Sequence, residues 1–367
     1  MWRGPAKAVI RYLLRNRRLR HAVEAELDAR RRATDPSIRA AKGSSDTDFI
    51  DRHGVRHPLD PSLRDRLKPA WRTMLDPLTA DAALSDQGLA DRSRTAAASV
   101  AEAANLVASV NGSSLGGRIL EIGCYDGAAA FQLALGGASV VASDLARYYV
   151  IQRPGEPADA DIDRQQVALA ELRERARLIA GAPIGAVEFI EDDITASVLP
   201  AGAFDAIVSF EVLEHVRSPE ATFAAMHRLL KPGGVGFHDY NPFFSLIGGH
   251  SLCTLDFPWG HARLADDDFE RYLREIRPDE VGPALRFYRE SLNRMTLSDL
   301  RAAVEGTGLE LLAVVPWSDR SLVEKLSQDA IGEVQAIYPT ASVQDLLATF
   351  IAVVVRRSGS EVVAAPA

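Results

Sequence analysis

From residue 118 onward, short apolar runs alternate with helical stretches, a rhythm that points to a parallel sheet covered by helices. Strand candidates are 118–122, 139–143, 187–190, 204–210 and 234–239, and "ELLAVVP" and "ATFIAVVVRR" add two near the end. The stretch "RQQVALAELRERARLIAG" (164–181) is the clearest helix, with Gly181 and Pro183 as its stop signal.

In such sheets, ligands bind beyond the carboxyl ends of the strands, where the strand order reverses. The first strand runs into "ILEIGCYDGAAAFQLAL" (119–135), an acid followed by a glycine-spaced turn. The dinucleotide fingerprint G-x-G-x-x-G fails there because Tyr125 stands at its second glycine, and no Gly-Lys-Ser/Thr follows to make a P-loop. What remains is E-x-G-x-x-x-G, with Asp144 at the end of the second strand, 21 residues after Gly123. A carboxylate so placed can take both hydroxyls of a ribose. Asp193 follows the third strand, and register favours it over its neighbour Asp192 for facing a ligand. Cys124 reads as a small loop residue, since no base is placed beside it.

Composition narrows the partners. Hydrophobic residues make up 47% of the 367, and charged residues 25%, ordinary for a globular chain. The formal charge is −8, but residues 1–32 carry ten Lys or Arg against three acids, leaving the rest near −15. An acidic body does not suit a sequence-independent nucleic-acid binder. Cys124 and Cys253 form no disulfide framework, and Arg11 and Arg15 break up the apolar stretches that a secretory leader needs. The expectation is a cytoplasmic protein. Its parts read as a basic helical arm (1–32), a linker (33–62), a helical extension (63–114), the sheet domain (115–357) and a flexible tail (358–367). The arm suits either packing on the body or weak contact with an anionic membrane surface. Within the sheet domain, residues 241–295 are too long for a simple crossover and read as a helical lid insertion.

Seven segments fall in one order across 115–357: "ILEIGCYDG", "VVASDLA", "VEFIEDDI", "FDAIVSFEVLEHV", "HRLLKPGGVGF", "MTLSDLRAAVEGTGLELLAVV" and "ATFIAVVVRR". Together they resemble the class I S-adenosylmethionine-dependent methyltransferases, especially the ubiquinone-biosynthesis-type, methyltransferase type 11-like branch. The resemblance implies a Rossmann-like, seven-stranded, mostly parallel sheet with helices on both faces, and S-adenosyl-L-methionine as cofactor. By the same resemblance, Glu121, Gly123, Cys124 and Gly127 line the methionine and ribose portion, and Asp144 with Leu145 meets the ribose. Asp193 and Ile194 hold the adenine, and Phe210 and Glu211 sit beside the sulfonium. Tyr125 replaces a frequent glycine, so its ring is expected to point away from the cofactor.

A sulfonium methyl is already activated, so the protein mainly aligns an acceptor and excludes water. An oxygen acceptor also needs a base or a metal. Glu211, Glu214 and His215 would share one face if their stretch is helical, and with His261 or His250 they can hold a divalent metal. The same E-x-x-E-H text resembles that of small-RNA 3′-terminal methyltransferases and some metal-dependent quinone O-methyltransferases, though it also serves plain hydrogen bonding and packing. A metal-free base is the alternative, with His238, His261 and Glu211 as the catalytic candidates and His250 behind them. Phe243, Phe244, Phe257, Trp259, Phe287 and Tyr288 make the lid aromatic, which suits a ring-bearing acceptor or a packed core. The leading expectation is transfer to a hydroxyl of a small-molecule, quinone-like or sugar-type acceptor. N- or C-methylation, or a non-catalytic module binding a partner, are the alternatives.

Overall fold

The computed structural model describes residues 48–68, 85–151 and 158–359. The basic arm 1–32, the first half of the linker and nearly all of the tail lie outside the described residues. The described residues begin with a two-stranded hairpin, β1 (Asp48–Ile50) and β2 (Arg56–Pro58), and a short helix α1 (Leu63–Leu67). The stretch expected to be a linker therefore holds structure of its own. The long helix α2 (Asp86–Asn111) starts at Ser85, whose hydroxyl accepts the Gly88 N–H at 3.2 Å.

Strand and helix then alternate as the sequence implies, through β3 (Arg118–Ile122), α3 (Ala128–Leu135), β4 (Ser139–Asp144), α4 (Ala146–Val150) and α5 (Asp159–Ala180). The middle of the sheet is β5 (Val187–Glu191), β6 (Phe204–Phe210), α6 (Pro219–Leu229) and β7 (Leu230–Tyr240). The insertion carries α7 (His250–Cys253), α8 (Gly260–Arg263), α9 (Asp266–Ile276) and α10 (Val281–Glu290). The described residues end through α11 (Leu297–Glu305), β8 (Leu309–Ser318), α12 (Arg320–Lys325), α13 (Gln328–Ile337), α14 (Val343–Leu347) and β9 (Ala348–Arg357).

The seven-stranded sheet has the order β5-β4-β3-β6-β7-β9-β8. Its first five strands are parallel, and β9 runs antiparallel to both β7 and β8. One face is covered by α6 and α11 through Phe223, Met226, Leu300 and Val304; the other by α2 and α3 through Leu106, Val107 and Leu133. Both faces are thus buried, which explains the continuous apolar strands. The order reverses between β3 and β6, so the carboxyl ends of those strands form the crevice that ligands of such sheets use.

The insertion does not stand alone. Its aromatic residues pack with Phe49 of β1, Leu322 of α12, Val334 of α13 and Leu346 of α14 in one separate apolar cluster. Phe243, Phe244, Phe257 and Trp259 are almost fully buried there. The second layer is assembled from three distant stretches of chain, of which sequence reading identified one.

Candidate active site

The crevice holds a cavity of about 360 Å³, lined among others by Gly123, Asp144, Leu145, Asp193, Ile194 and Glu211. Its floor is the turn after β3. Gly123 and Cys124 both donate their N–H to Ser143 O, at 2.8 and 3.1 Å, tying the turn to the end of β4. Gly123 takes φ of +71°, and a Cβ there would meet Val212 at 2.4 Å, so only glycine lets β3 and the turn after β6 approach. Tyr125 accepts a positive φ of 45° and is held there from two sides. Arg173 of α5 donates Nε–H to Tyr125 O at 2.8 Å, and Arg92 of α2 lies 4.9 Å over the Tyr125 ring while pairing with Asp126.

At the end of β4, the carboxylate of Asp144 is nearly buried and already well bonded. Its Oδ1 accepts Leu145 N–H at 2.7 Å, and its Oδ2 accepts Tyr125 N–H at 2.5 Å and the Tyr149 hydroxyl at 2.9 Å. Asp193 caps the short 3₁₀ turn Ile194–Ala196, its Oδ1 accepting both N–H and hydroxyl of Thr195 at 2.9 and 2.7 Å. Asp192 lines the cavity as well, and its Oδ2 is buried without a hydrogen-bond partner among the described residues. Register alone favoured only Asp193; here both acids face the cavity. Behind the turn, burial pushes the Glu121 carboxyl well above the usual carboxylate range, and Asp126 and Asp144 add to it.

On the other side lies an acid–imidazole cluster. Residues 211–216 form a turn, so the condition of a helical stretch is not met. Glu211 opens it at φ of 58°, a left-handed conformation that a non-glycine residue holds only under surrounding constraint. Its N–H donates to Asp239 O at 2.8 Å and to Asp239 Oδ1 at 3.0 Å. From the insertion, Asn293 braces the turn by donating Nδ2–H to Leu213 O at 2.6 Å and Val216 O at 3.0 Å. The turn brings the ligand atoms of Glu214 and His215 together with those of His250, all within 4.8 Å of one another.

The donor atoms of this cluster suit a divalent cation. Glu214 Oε2 and His250 Nε2 are buried without hydrogen-bond partners among the described residues. His215 Nδ1 lies 2.6 Å from Ser291 O, so it carries the proton and leaves Nε2 as a lone-pair donor, as metal-binding histidines do when a carbonyl fixes their other ring nitrogen. Burial drives every member toward its neutral form: Glu214 is held well above its usual range, His215 is lowered to about 4, and His250 well below its ordinary value. Lys68, just after α1, acts electrostatically on Glu211, Glu214, His215 and His250, and burial lowers its own pKa.

Several sequence-expected residues lie elsewhere. His238 is buried inside the sheet with Nδ1 2.9 Å from Ser209 Oγ, and burial lowers its pKa to about 3, so it is not placed as a base at the cavity. His261 Nε2 lies 2.8 Å from Phe243 O, so it carries the proton and donates to that carbonyl. It is fully buried in the insertion, and His250 takes the place in the cluster expected for it. Glu121, Cys124, Gly127 and Phe210 do not line the cavity. Gly127 is glycine for packing: a Cβ would meet Phe189 at 2.7 Å. Cys124 is buried, with Arg173 Nη2 donating to its Sγ at 3.5 Å, and burial pushes its thiol well above the ordinary value. The lid aromatics named above do not reach the cavity lining either. Sequence reading missed Arg173, Arg92 and Tyr149, for which charge on a helix face and the pair "YY" were the only signals.

The strand order, the carboxylate at the end of β4 and the cavity at the reversal point define a nucleoside-binding α/β protein. A family model described as a methyltransferase domain matches residues 89–314. The ubiquinone biosynthesis O-methyltransferase of Chromobacterium violaceum is 29% identical over 188 residues, covering 50% of this chain and 68% of that protein. Its namesake from Nitrosococcus oceani is 33% identical over 180 residues, covering 47% and 62%. Most such relatives are matched over little more than six tenths of their length. Among solved structures, an S-adenosylmethionine dependent methyltransferase from Mesorhizobium loti overlays with a TM-score of 0.37 at 17% identity, over 66% of this chain and 92% of that one. The chain belongs to the methyltransferase-domain family and is a class I S-adenosylmethionine-dependent methyltransferase by that membership. No helix among the described residues is long and apolar enough to cross a membrane.

Proposed function

We propose that this protein transfers a methyl group from S-adenosylmethionine to a hydroxyl of a small-molecule acceptor, with a divalent cation held beside the acceptor. The observation carrying the reading is the Glu214–His215–His250 cluster adjoining the cavity, since His215 and Glu211 also line that cavity. The name shared by the curated relatives, ubiquinone biosynthesis O-methyltransferase, supports a hydroxyl rather than an amine as acceptor.

In this reading Asp144 grips the ribose, Asp192 and Asp193 meet the adenine, and Gly123 allows close approach of the methionine portion. A sulfonium supplies a methyl carbon ready for in-line displacement, so orientation and dryness are what the protein must add. Glu214, His215 and His250 would hold the cation, with Glu211 positioned by Asp239 at its edge. A mixed carboxylate and imidazole donor set suits zinc, manganese or iron better than magnesium. Such an ion would lower the pKa of a bound acceptor hydroxyl, so that its proton could pass to water. His238 and His261 have no catalytic part in this reading.

The test is transfer of labelled methyl from S-adenosylmethionine to a panel of hydroxyl-bearing aromatic and sugar acceptors, before and after chelation. Activity should fall by at least about 100-fold without metal and return on adding Mn²⁺ or Zn²⁺. Full activity in the chelated protein would remove the cation from the reading, and transfer only to amines would remove the hydroxyl.

A further inference from the structure

Asp144 carries more hydrogen bonds than a sugar-binding carboxylate has room for. Each carboxylate oxygen accepts about two hydrogen bonds in its plane. Oδ2 has both filled, by Tyr125 N–H at 2.5 Å and the Tyr149 hydroxyl at 2.9 Å, and Oδ1 has one filled by Leu145 N–H at 2.7 Å. Arg173 Nη2 stands a further 3.9 Å from Oδ2. A vicinal diol gripped across both oxygens needs one acceptor position on each. As arranged, Asp144 can offer one hydroxyl a place but not two.

One donor on Oδ2 must therefore yield. Tyr125 N–H belongs to the backbone of the glycine turn, which Arg173 fixes through Tyr125 O at 2.8 Å and which Arg92 covers from above. The Tyr149 hydroxyl sits at the end of a side chain on the five-residue helix α4, and Tyr149 itself lines the cavity. Its ring rests 5.0 Å from that of Tyr125 and 5.2 Å from that of Tyr148, packing that a rotamer change can exchange for contact with a bound nucleoside. The backbone donor is held by the turn, whereas the side-chain donor can leave by a change of rotamer.

We propose that Tyr149 is a displaceable stand-in for the sugar: its hydroxyl holds Asp144 Oδ2 in the position that a ribose hydroxyl takes over on binding, and the ring swings aside. This deepens the methyl-donor reading and rests on Asp144 as the sugar carboxylate. Burial raises the Tyr149 pKa well above its ordinary value, which keeps the phenol protonated and a donor throughout the neutral range. Tyr149 is thus a positioning residue that competes with the nucleoside for one acceptor atom and keeps the carboxylate aimed meanwhile.

The experiment is calorimetric binding of S-adenosylhomocysteine to the full chain and to its Tyr149→Phe and Asp144→Asn variants, with melting temperatures taken in ligand-free buffer. Tyr149→Phe should bind about three- to tenfold tighter, because one competing hydrogen bond is gone, while melting slightly lower than wild type. A purely structural tyrosine would shift melting without tightening binding, so unchanged or weaker affinity in Tyr149→Phe overturns the proposal. A second readout uses the wild-type chain alone: binding should produce a tyrosine difference signal in near-ultraviolet circular dichroism that Tyr149→Phe largely lacks, and equal signals in both overturn the swing. Asp144→Asn separates the two levels. If it binds as tightly as wild type, the sugar reading itself fails, whereas a loss of about tenfold or more alongside an unchanged Tyr149→Phe discards only the stand-in.

Discussion

The two halves of the cavity are built in opposite ways. The half proposed for the nucleoside comes from the turns after β3, β4 and β5, three consecutive strand ends within about 75 residues of chain. The acid–imidazole half joins a turn after β6 to His250 of the insertion, with Asn293 as brace and Lys68 from the N-terminal segment nearby. One half is fixed by the sheet that any such chain must form. The other depends on how three separate stretches pack into a second apolar cluster. The difference implies that the halves answer to different mutations: the first to changes in strand-end carboxylates, the second to changes far away in sequence.

The largest expected effect tests that separation directly. His250→Ala removes one cluster ligand and should weaken Mn²⁺ or Zn²⁺ binding by about 100-fold or more, beyond the 10- to 100-fold of outer-shell changes. S-adenosylhomocysteine affinity should stay within about twofold of wild type. His261→Asn, at the position favoured by sequence, should leave metal affinity intact if the variant folds. Metal titration of both variants decides between the two histidines, and loss at His261 with none at His250 would reverse the assignment.

That pair of histidines also marks where sequence stops being legible. The strands and the mostly parallel sheet followed from local pattern and from resemblance, and Gly123, Asp144, Asp193 and Glu211 line the cavity because each sits at a strand end whose position the alternation fixes. Four residues assigned with them, Glu121, Cys124, Gly127 and Phe210, are off the cavity lining, since a turn's path decides which side chains face inward. His250 and His261 are only eleven positions apart on a segment with no period to fix it. Which of them reaches Glu214 depends on the φ of 53° at His250 and on packing against Phe287, at 5.8 Å between ring centres. The hairpin at 48–58 was hidden for a similar reason: two three-residue strands have too little alternation to announce themselves, and they gain stability by laying Phe49 on Tyr272.

The next effect separates the sheet from both halves. His238 was a candidate base, yet it is a core imidazole whose folded pKa is near 3 against about 6.5 when unfolded. Between those values the unfolded chain binds the proton more readily, so acid favours unfolding, and stability rises again with pH until about 6.5. Of the acid sensitivity, His238 should account for about 2 kcal/mol between pH 7 and pH 5. Urea unfolding of wild type and His238→Gln at those two pH values measures it. The variant should lose less on acidification, with S-adenosylhomocysteine affinity at pH 7 little changed. An equal acid loss in both proteins would show that His238 titrates as it does in the unfolded chain.

The smallest effect asks whether the N-terminal segment opposes the cluster or completes it. The Lys68 ammonium attracts the Glu214 carboxylate and disfavours protonated His215 and His250. Both influences suit a metal site, because ligands bind in their deprotonated forms. The same charge also repels an incoming dication, and once the cation has displaced the Glu214 proton that repulsion is the larger influence at neutral pH, where the imidazoles are already unprotonated. Lys68→Met should therefore tighten Mn²⁺ binding by about two- to fivefold at pH 7, the scale of a screened charge pair. The gain should shrink at high salt if the charge acts through solvent. A loss of affinity instead would mean that Lys68 aims the two glutamates, and the N-terminal segment would then be a working part of the second half.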